Sequence, residues 1–186
     1  MDFFETLVDD HRLISRVLNA FEQFIRRAED SRDIDLIELN RFVVFFHDFA
    51  DLIHHDREEG ILFPSMAKLG YSASGAPIAH IRDEHRRERR LLFQLRQAAV
   101  RTNLDASAKK AHVVGVAREL IMFEREHIQK ENELLYPTVK SELSGRTIDE
   151  LSQGLFRQED ADMTLVESAW LRSLGEALVR EYPGRA

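Results

Sequence analysis

The chain has no cysteine at all. Disulfides, thiolate nucleophiles, iron–sulfur ligation and cysteine-based zinc sites are therefore excluded together, and a reducing, cytoplasmic setting is expected. Glycine (8) and proline (4) are scarce, which argues against a turn-rich all-β fold. Long apolar runs are missing too: the longest, Phe42 to Phe46, is five residues, far short of a membrane span. The opening MDFFETLVDD carries neither the basic start nor the apolar stretch of a signal peptide. Positive charge is not in excess. With 26 basic and 33 acidic residues the net charge is −7, so neither nucleic acid nor a membrane surface is an expected partner.

What remains is helical pattern. Phe4, Leu7, His11, Ile14, Leu18, Phe21 and Ile25 recur at alternating spacings of three and four, one continuous helical stripe. A second segment runs from about Leu36 to Leu69, before Gly70 and the Ser72–Gly75 stretch break it. Pro77 fits the first turn of a third helix, whose stripe is Ile78, Ile81, His85, Leu92 and Leu95. Asn103 or Asp105 suits the cap of a fourth, reaching about Leu143. Short connections between long helices predict an all-α, up-down-up-down four-helix bundle. After Ser144-Gly145, Thr147 and Glu150 have capping-box spacing. Leu151, Leu155, Leu165, Ala169, Leu174 and Leu178 then predict one or two additional C-terminal helices. The expected division is a bundle over residues 1–143 and a packed helical extension over 144–186, which holds no histidine and suits packing or homodimer contact.

The most informative feature is an internal repeat. His54, Glu58 and Pro64 match His127, Glu131 and Pro137 at a constant offset of 73, within HHDREEGILFP and HIQKENELLYP. Upstream, Asp10-His11-Arg12 matches Glu84-His85-Arg86 at an offset of 74. Residues four apart lie on one helix face about 6 Å apart along the axis, so His54 with Glu58, and His127 with Glu131, can aim at one point. His11 and His85 sit inside apolar stripes and should point inward as well. Buried imidazoles and carboxylates are costly unless paired or metal-bound. A dinuclear metal site satisfies His11, His54, Glu58, His85, His127 and Glu131 together: His11 and His54 on one ion, His85 and His127 on the other, both glutamates bridging. Oxygen plus imidazole donors suit iron or manganese, with zinc an alternative. Asp51 and Glu124, three residues before His54 and His127, are candidates to orient the imidazoles, or else solvated or paired acids.

These segments resemble the hemerythrin-like, or HHE cation-binding, family over roughly residues 3 to 142. The resemblance implies a four-helix bundle with a carboxylate-bridged, non-heme centre of two iron ions on the same six residues. Ile81 stands where oxygen-carrying hemerythrins have a further histidine, and Asn132 where they have aspartate. The chain is thus closer to the four-His, two-Glu branch, which includes iron–sulfur cluster repair proteins and iron- or oxygen-sensing domains. The function implied is binding of, or reaction with, O2, NO or peroxide in redox sensing, stress response or iron handling. A di-iron enzyme (peroxide decomposition or Fe(II) oxidation) and a metal-stabilised interaction module are the alternatives.

Other residues receive plainer roles. His55 and Glu59 share the four-residue spacing, but Ile128 and Asn132 replace them in the second repeat, so a symmetric site would not use them. His47 is expected in the core or beside the site, while His80 and His112 are not expected as ligands. Arg86-Arg87-Glu88-Arg89-Arg90 reads as a solvated face. Phe42, Phe45, Phe46 and Phe49 read as core, able to form a dry wall beside the metals.

Overall fold

A computed structural model describes residues 2–100, 105–161 and 164–184, apart from the side chains of 99–100, 156–161 and 164–165. Asn103 and the side chain of Leu165 lie outside the described residues. Among the described residues six helices are formed: α1 (Phe3–Asp30), α2 (residues 36–68), α3 (Ile78–Val100), α4 (residues 106–142), α5 (Gly145–Ala161) and α6 (Thr164–Glu181). Among the described residues, no helix is long and apolar enough to cross a membrane.

Local chemistry sets the helix starts. Asp2 and Glu5 form a reciprocal capping box on α1. Asp35 accepts from the amides of Ile37 and Glu38 at the start of α2, and Asp105 from Ala108 at the start of α4. The last cap differs from expectation. Ser144, not Thr147, caps α5, its Oγ accepting from the Thr147 amide at 3.2 Å. Serine one residue before the helix reaches the free amides that a residue inside the first turn cannot.

Two of the long helices are not uniformly α. Residues Phe45–His55 and Glu58–Leu62 of α2, and Glu131–Leu135 of α4, wind as π-helix. The repeat explains the second and third. Pro64 and Pro137 have no amide hydrogen, and their rings would clash with the carbonyl four residues back in a regular helix. The wider turn avoids this: Phe63 N–H donates to the Glu58 carbonyl and Tyr136 N–H to the Glu131 carbonyl, each five residues back. We find no comparable cause for the longer π segment.

Helix α1 packs against α2 and α4, and α3 against the same two, which closes the four-helix bundle. The interior has three layers. One apolar cluster is built on Phe21, Phe24, Phe42, Phe45, Phe46 and Phe49. At the other end lies a second, with Phe3, Phe4, Leu62, Phe63, Ile81 and Tyr136. Between them sits a buried polar layer containing His11, His54, His55, Glu58, His85, Glu88, Glu124, His127 and Glu131. The C-terminal helices join both apolar clusters, through Leu171 and Leu178 in the first and Leu151 and Leu155 in the second. Gly175 lets α6 approach: a Cβ there would stand 2.6 Å from the Phe45 ring.

Candidate metal centre

Each of the four bundle helices supplies the polar layer at the level predicted from the repeat. His11 comes from α1, His54 and Glu58 from α2, His85 from α3, and His127 and Glu131 from α4. All six are at most 1% exposed. Glu131 spans the cluster, with Oε2 3.2 Å from His11 Nε2 and Oε1 3.4 Å from His127 Nε2. Glu58 joins it from α2. Its Oε2 lies 3.2 Å from His85 Nε2, while its Oε1 accepts from the Tyr136 hydroxyl at 2.5 Å. That hydroxyl is in turn 3.5 Å from His11 Nε2.

The donor atoms fall into two groups able to hold an ion, His11–His54–Glu131 and His55–Glu58–His85–His127. Several have no hydrogen-bond partner among the described residues: both ring nitrogens of His54, Nε2 of His85 and of His127, Glu58 Oε2 and Glu131 Oε1. Unpartnered atoms at this depth are expensive as they stand. Two donors on one ion at about 2.1 Å and near-right angles would sit about 3 Å apart, close to the spacings above. The donor set therefore fits a pair of metal ions.

Outer partners fix three of the rings. His85 Nδ1 donates to Glu59 (2.8 Å), His127 Nδ1 to Glu84 (2.9 Å) and His11 Nδ1 to Asn132 Oδ1 (2.9 Å). Because a carboxylate only accepts, Nδ1 of His85 and of His127 carries a hydrogen, and Nε2 is the nitrogen presented to the interior. His54 Nδ1 lies 3.6 Å from Asp10, too far for a hydrogen bond. The partners obey the repeat: Asp10 corresponds to Glu84, and Glu59 to Asn132. Asp10 itself is held by Arg57 at 2.5 Å and by Arg172 of α6. Aromatic rings back the imidazoles, Tyr136 stacking on His11, Phe63 on His85 and Phe123 on His127.

Of the alternatives for Asp51 and Glu124, interhelix pairing describes Asp51. Asp51 accepts from Arg89 Nε at 2.7 Å, and Glu124 lies beside Glu88 and His55. Glu84, the residue before His85, orients His127 of the neighbouring helix instead, and Asp10, the residue before His11, faces His54. His55 and Glu59 are also drawn in despite the asymmetry of the repeat. Glu88 is fully buried rather than part of a solvated face, because it lies three residues after His85 on the same side of α3. His47 is part-exposed and pairs with Asp48 at 2.5 Å, and His80 is 64% exposed; neither lies among the inward donors. Phe42, Phe45, Phe46 and Phe49 are core, as expected.

In the metal-free protein, charge within the layer is divided unequally. Burial raises the Glu58 carboxyl, but the His85 ring 3.2 Å away and the charges of His54, His85 and His127 outweigh it and hold it below its usual range. His85 is driven up to about 10: burial opposes its charge, and the nearby Glu58 carboxylate and the hydrogen bond to Glu59 overcome that. Burial, then the charge of Glu58, lifts Glu131 to about 8. A buried layer whose carboxyls are driven apart in this way is poised to exchange protons for cations.

The outer partners make a prediction. Glu84→Ala removes the acceptor of His127 Nδ1 and should lower metal affinity about 10–100-fold, with Glu84→Gln recovering part of the loss. Competition titration against a chelator measures both; an unchanged Glu84→Ala affinity would refute the orienting role.

Neither a curated protein nor a solved structure matches the chain. The family model for the hemerythrin HHE cation binding domain matches residues 2–139, a span that contains all six histidines and glutamates of the predicted centre. The chain belongs to the hemerythrin HHE cation-binding family.

Proposed function

We propose that this protein is a non-heme di-iron protein that binds or reacts with O2, NO or peroxide, serving redox sensing, stress response or iron handling. Residues 1–143 are the metal-holding unit on this reading, and 144–186 an extension packed on it. His11 and His54 hold one iron, His85 and His127 the other, with Glu58 and Glu131 across both. Manganese and zinc would compete for the same donors. The observation that carries the reading is two buried glutamates among inward imidazoles: Glu131 has one oxygen toward His11 and the other toward His127, Glu58 has one toward His85, and nitrogens of His54, His85 and His127 are unpartnered among the described residues. When bound, such an ion pair supplies electrons and open coordination positions to a small ligand.

The remaining residues suit a small, weakly polar ligand. Phe63, Phe123 and Tyr136 line the imidazoles with apolar faces. A groove of about 330 Å³ between α1 and α4 reaches Asn132 and Tyr136, two of the residues touching His11. Tyr136 also favours a second reading, an enzyme acting on peroxide or Fe(II). Its hydroxyl hydrogen is held at Glu58 Oε1, a position from which a proton can be delivered at the edge of the site. Val166 and Trp170, exposed on α6, support a homodimer through the C-terminal helices, as an interaction module would also require.

Anaerobic reconstitution with Fe(II), elemental analysis and an optical spectrum before and after exposure to O2 or NO test the proposal. At least two irons per chain and a gas-dependent spectrum are expected. Retention of zinc alone, or no iron uptake, would overturn it; peroxide turnover well above that of free iron would favour the enzyme.

A further inference from the structure

Beside the dinuclear cluster lies a second group of buried donors, one helical turn toward the larger aromatic cluster. His55 of α2, Glu88 of α3 and Glu124 of α4 bring one ligand atom each within 4.8 Å of one another. None is more than 1% exposed. His55 Nδ1, both carboxylate oxygens of Glu88 and Glu124 Oε1 have no hydrogen-bond partner among the described residues. His55 Nδ1 approaches Glu88 Oε2 to 3.1 Å without forming a hydrogen bond. That is the spacing of two donors sharing one ion.

His55 also lies within reach of Glu58, His85 and His127, so its allegiance has to be decided. Its ring is stacked on that of His85 at 3.8 Å with an interplanar angle of 12°. Imidazole lone pairs lie in the ring plane, so two nearly parallel stacked rings direct theirs along lines that do not meet. The pair is poorly placed to share an ion, whereas His55 Nδ1 faces Glu88.

We propose that His55, Glu88 and Glu124 form a third cation site, distinct from the dinuclear pair, for a divalent transition ion such as Fe(II), Mn(II) or Zn(II). One imidazole and two carboxylates are a sufficient protein donor set, and the two negative charges match the ion's charge. Asp51, with Oδ1 3.6 Å from His55 Nδ1, marks the rim and is bound there by the part-exposed Arg89. Arg89 also reaches Glu59, the partner of His85, at 3.0 Å. An ion entering past this arginine meets the third site beside the dinuclear one. Without a cation the cluster is strained electrostatically: burial, then Glu124 and Asp51, push the Glu88 carboxyl well up, and burial lifts Glu124 to about 8 against the pull of His85.

The site is tested on the full-length chain with Mn(II) alone, under anaerobic conditions. Anomalous diffraction from Mn(II)-loaded crystals should show three peaks, the third about 2.0–2.3 Å from a nitrogen of His55 and oxygens of Glu88 and Glu124. In solution, the Glu88→Gln/Glu124→Gln double variant should fall from three Mn(II) per chain to two, and Glu58→Gln/Glu131→Gln from three to one. Two peaks confined to the dinuclear cluster, or three ions retained by the Glu88/Glu124 variant, would overturn the third site. A peak at the third site with none between Glu58 and Glu131 would uphold it and instead defeat the dinuclear reading on which its name depends.

Discussion

Glu131→Gln should remove one or both ions of the dinuclear centre, with at least a 100-fold loss of affinity there, yet leave the metal-free fold at least as stable as the parent. The two halves of this expectation have one origin. Glu131 reaches toward His11 with one oxygen and toward His127 with the other, so an amide withdraws both a charge and one of two donor oxygens. In the metal-free protein the same carboxyl is fully buried, and burial with the nearby charge of Glu58 lifts it to about 8. A neutral amide of equal size relieves that cost. Glu58→Gln should lose metal equally but behave oppositely without it. Its carboxylate accepts from Tyr136 and is held charged by His85, so the substitution should cost about 1–3 kcal/mol of metal-free stability. Elemental analysis after dialysis and thermal unfolding with and without chelator measure both. Both ions of the dinuclear centre retained by Glu131→Gln would exclude it as a ligand.

Metal removal should lower the unfolding temperature by about 10 °C or more, and the deficit should widen as pH rises from 6.5 to 8. The size follows from linkage, since free ion at about a thousand times Kd contributes about 4 kcal/mol per site, and a domain of this length shifts by about 2–4 °C per kcal/mol. The pH sign follows from groups the fold holds protonated. Glu124 and Glu131, ordinarily at 4.5, are lifted to about 8 in the metal-free fold, and His85 from 6.5 to about 10. The unfolded chain has released these protons by pH 6.5–7 while the fold retains them, so stability falls as pH rises through the folded values. His11 and His55 act in the opposite sense, burial lowering both, but their contribution is complete once the unfolded imidazoles are neutral, near their ordinary 6.5. Above that pH the falling trend stands alone. Metal ions replace the retained protons and should flatten it. Calorimetry of chelator-treated and reloaded protein at pH 6.5, 7.2 and 8.0 decides; a metal-free stability that is flat or rising over this window would contradict the assignment.

The six inward donors were legible because helical periodicity and a repeat both acted on them. His11 and His85 interrupt apolar stripes, and His54–Glu58 and His127–Glu131 recur at one offset. The orienting residues were less legible, because they act between helices. Glu84 holds His127 and Asp10 faces His54 across the bundle, and spacing along one helix, which pointed to Asp51 and Glu124, says nothing about a neighbour's face. His55 was obscured by backbone geometry. In the π segment ending at His55, each turn takes in an extra residue, so neighbours lie closer in angle and His54 and His55 both face inward. Pro64 and Pro137 carried a signal of the other two wide turns, since a proline inside a continuing helix must be accommodated. Glu88 was hidden by company: four arginines surround it, and the face that mattered was that of His85.

Arg172 gives the C-terminal extension a bearing on the centre that its lack of histidine does not suggest. The family match ends at residue 139, yet this arginine of α6 is one of two that hold Asp10, the acid facing His54. It also lies over the Phe49 ring within the long π segment, and Gly175 of the same helix seats it against Phe45. Family boundary and mechanical boundary therefore do not coincide. A cut at the former would take away a counter-charge from the centre and the outer wall of the segment that presents His54. In this chain α6 is a handle on the inner layer, and anything that grips or loosens it acts on the first half of the site without entering it.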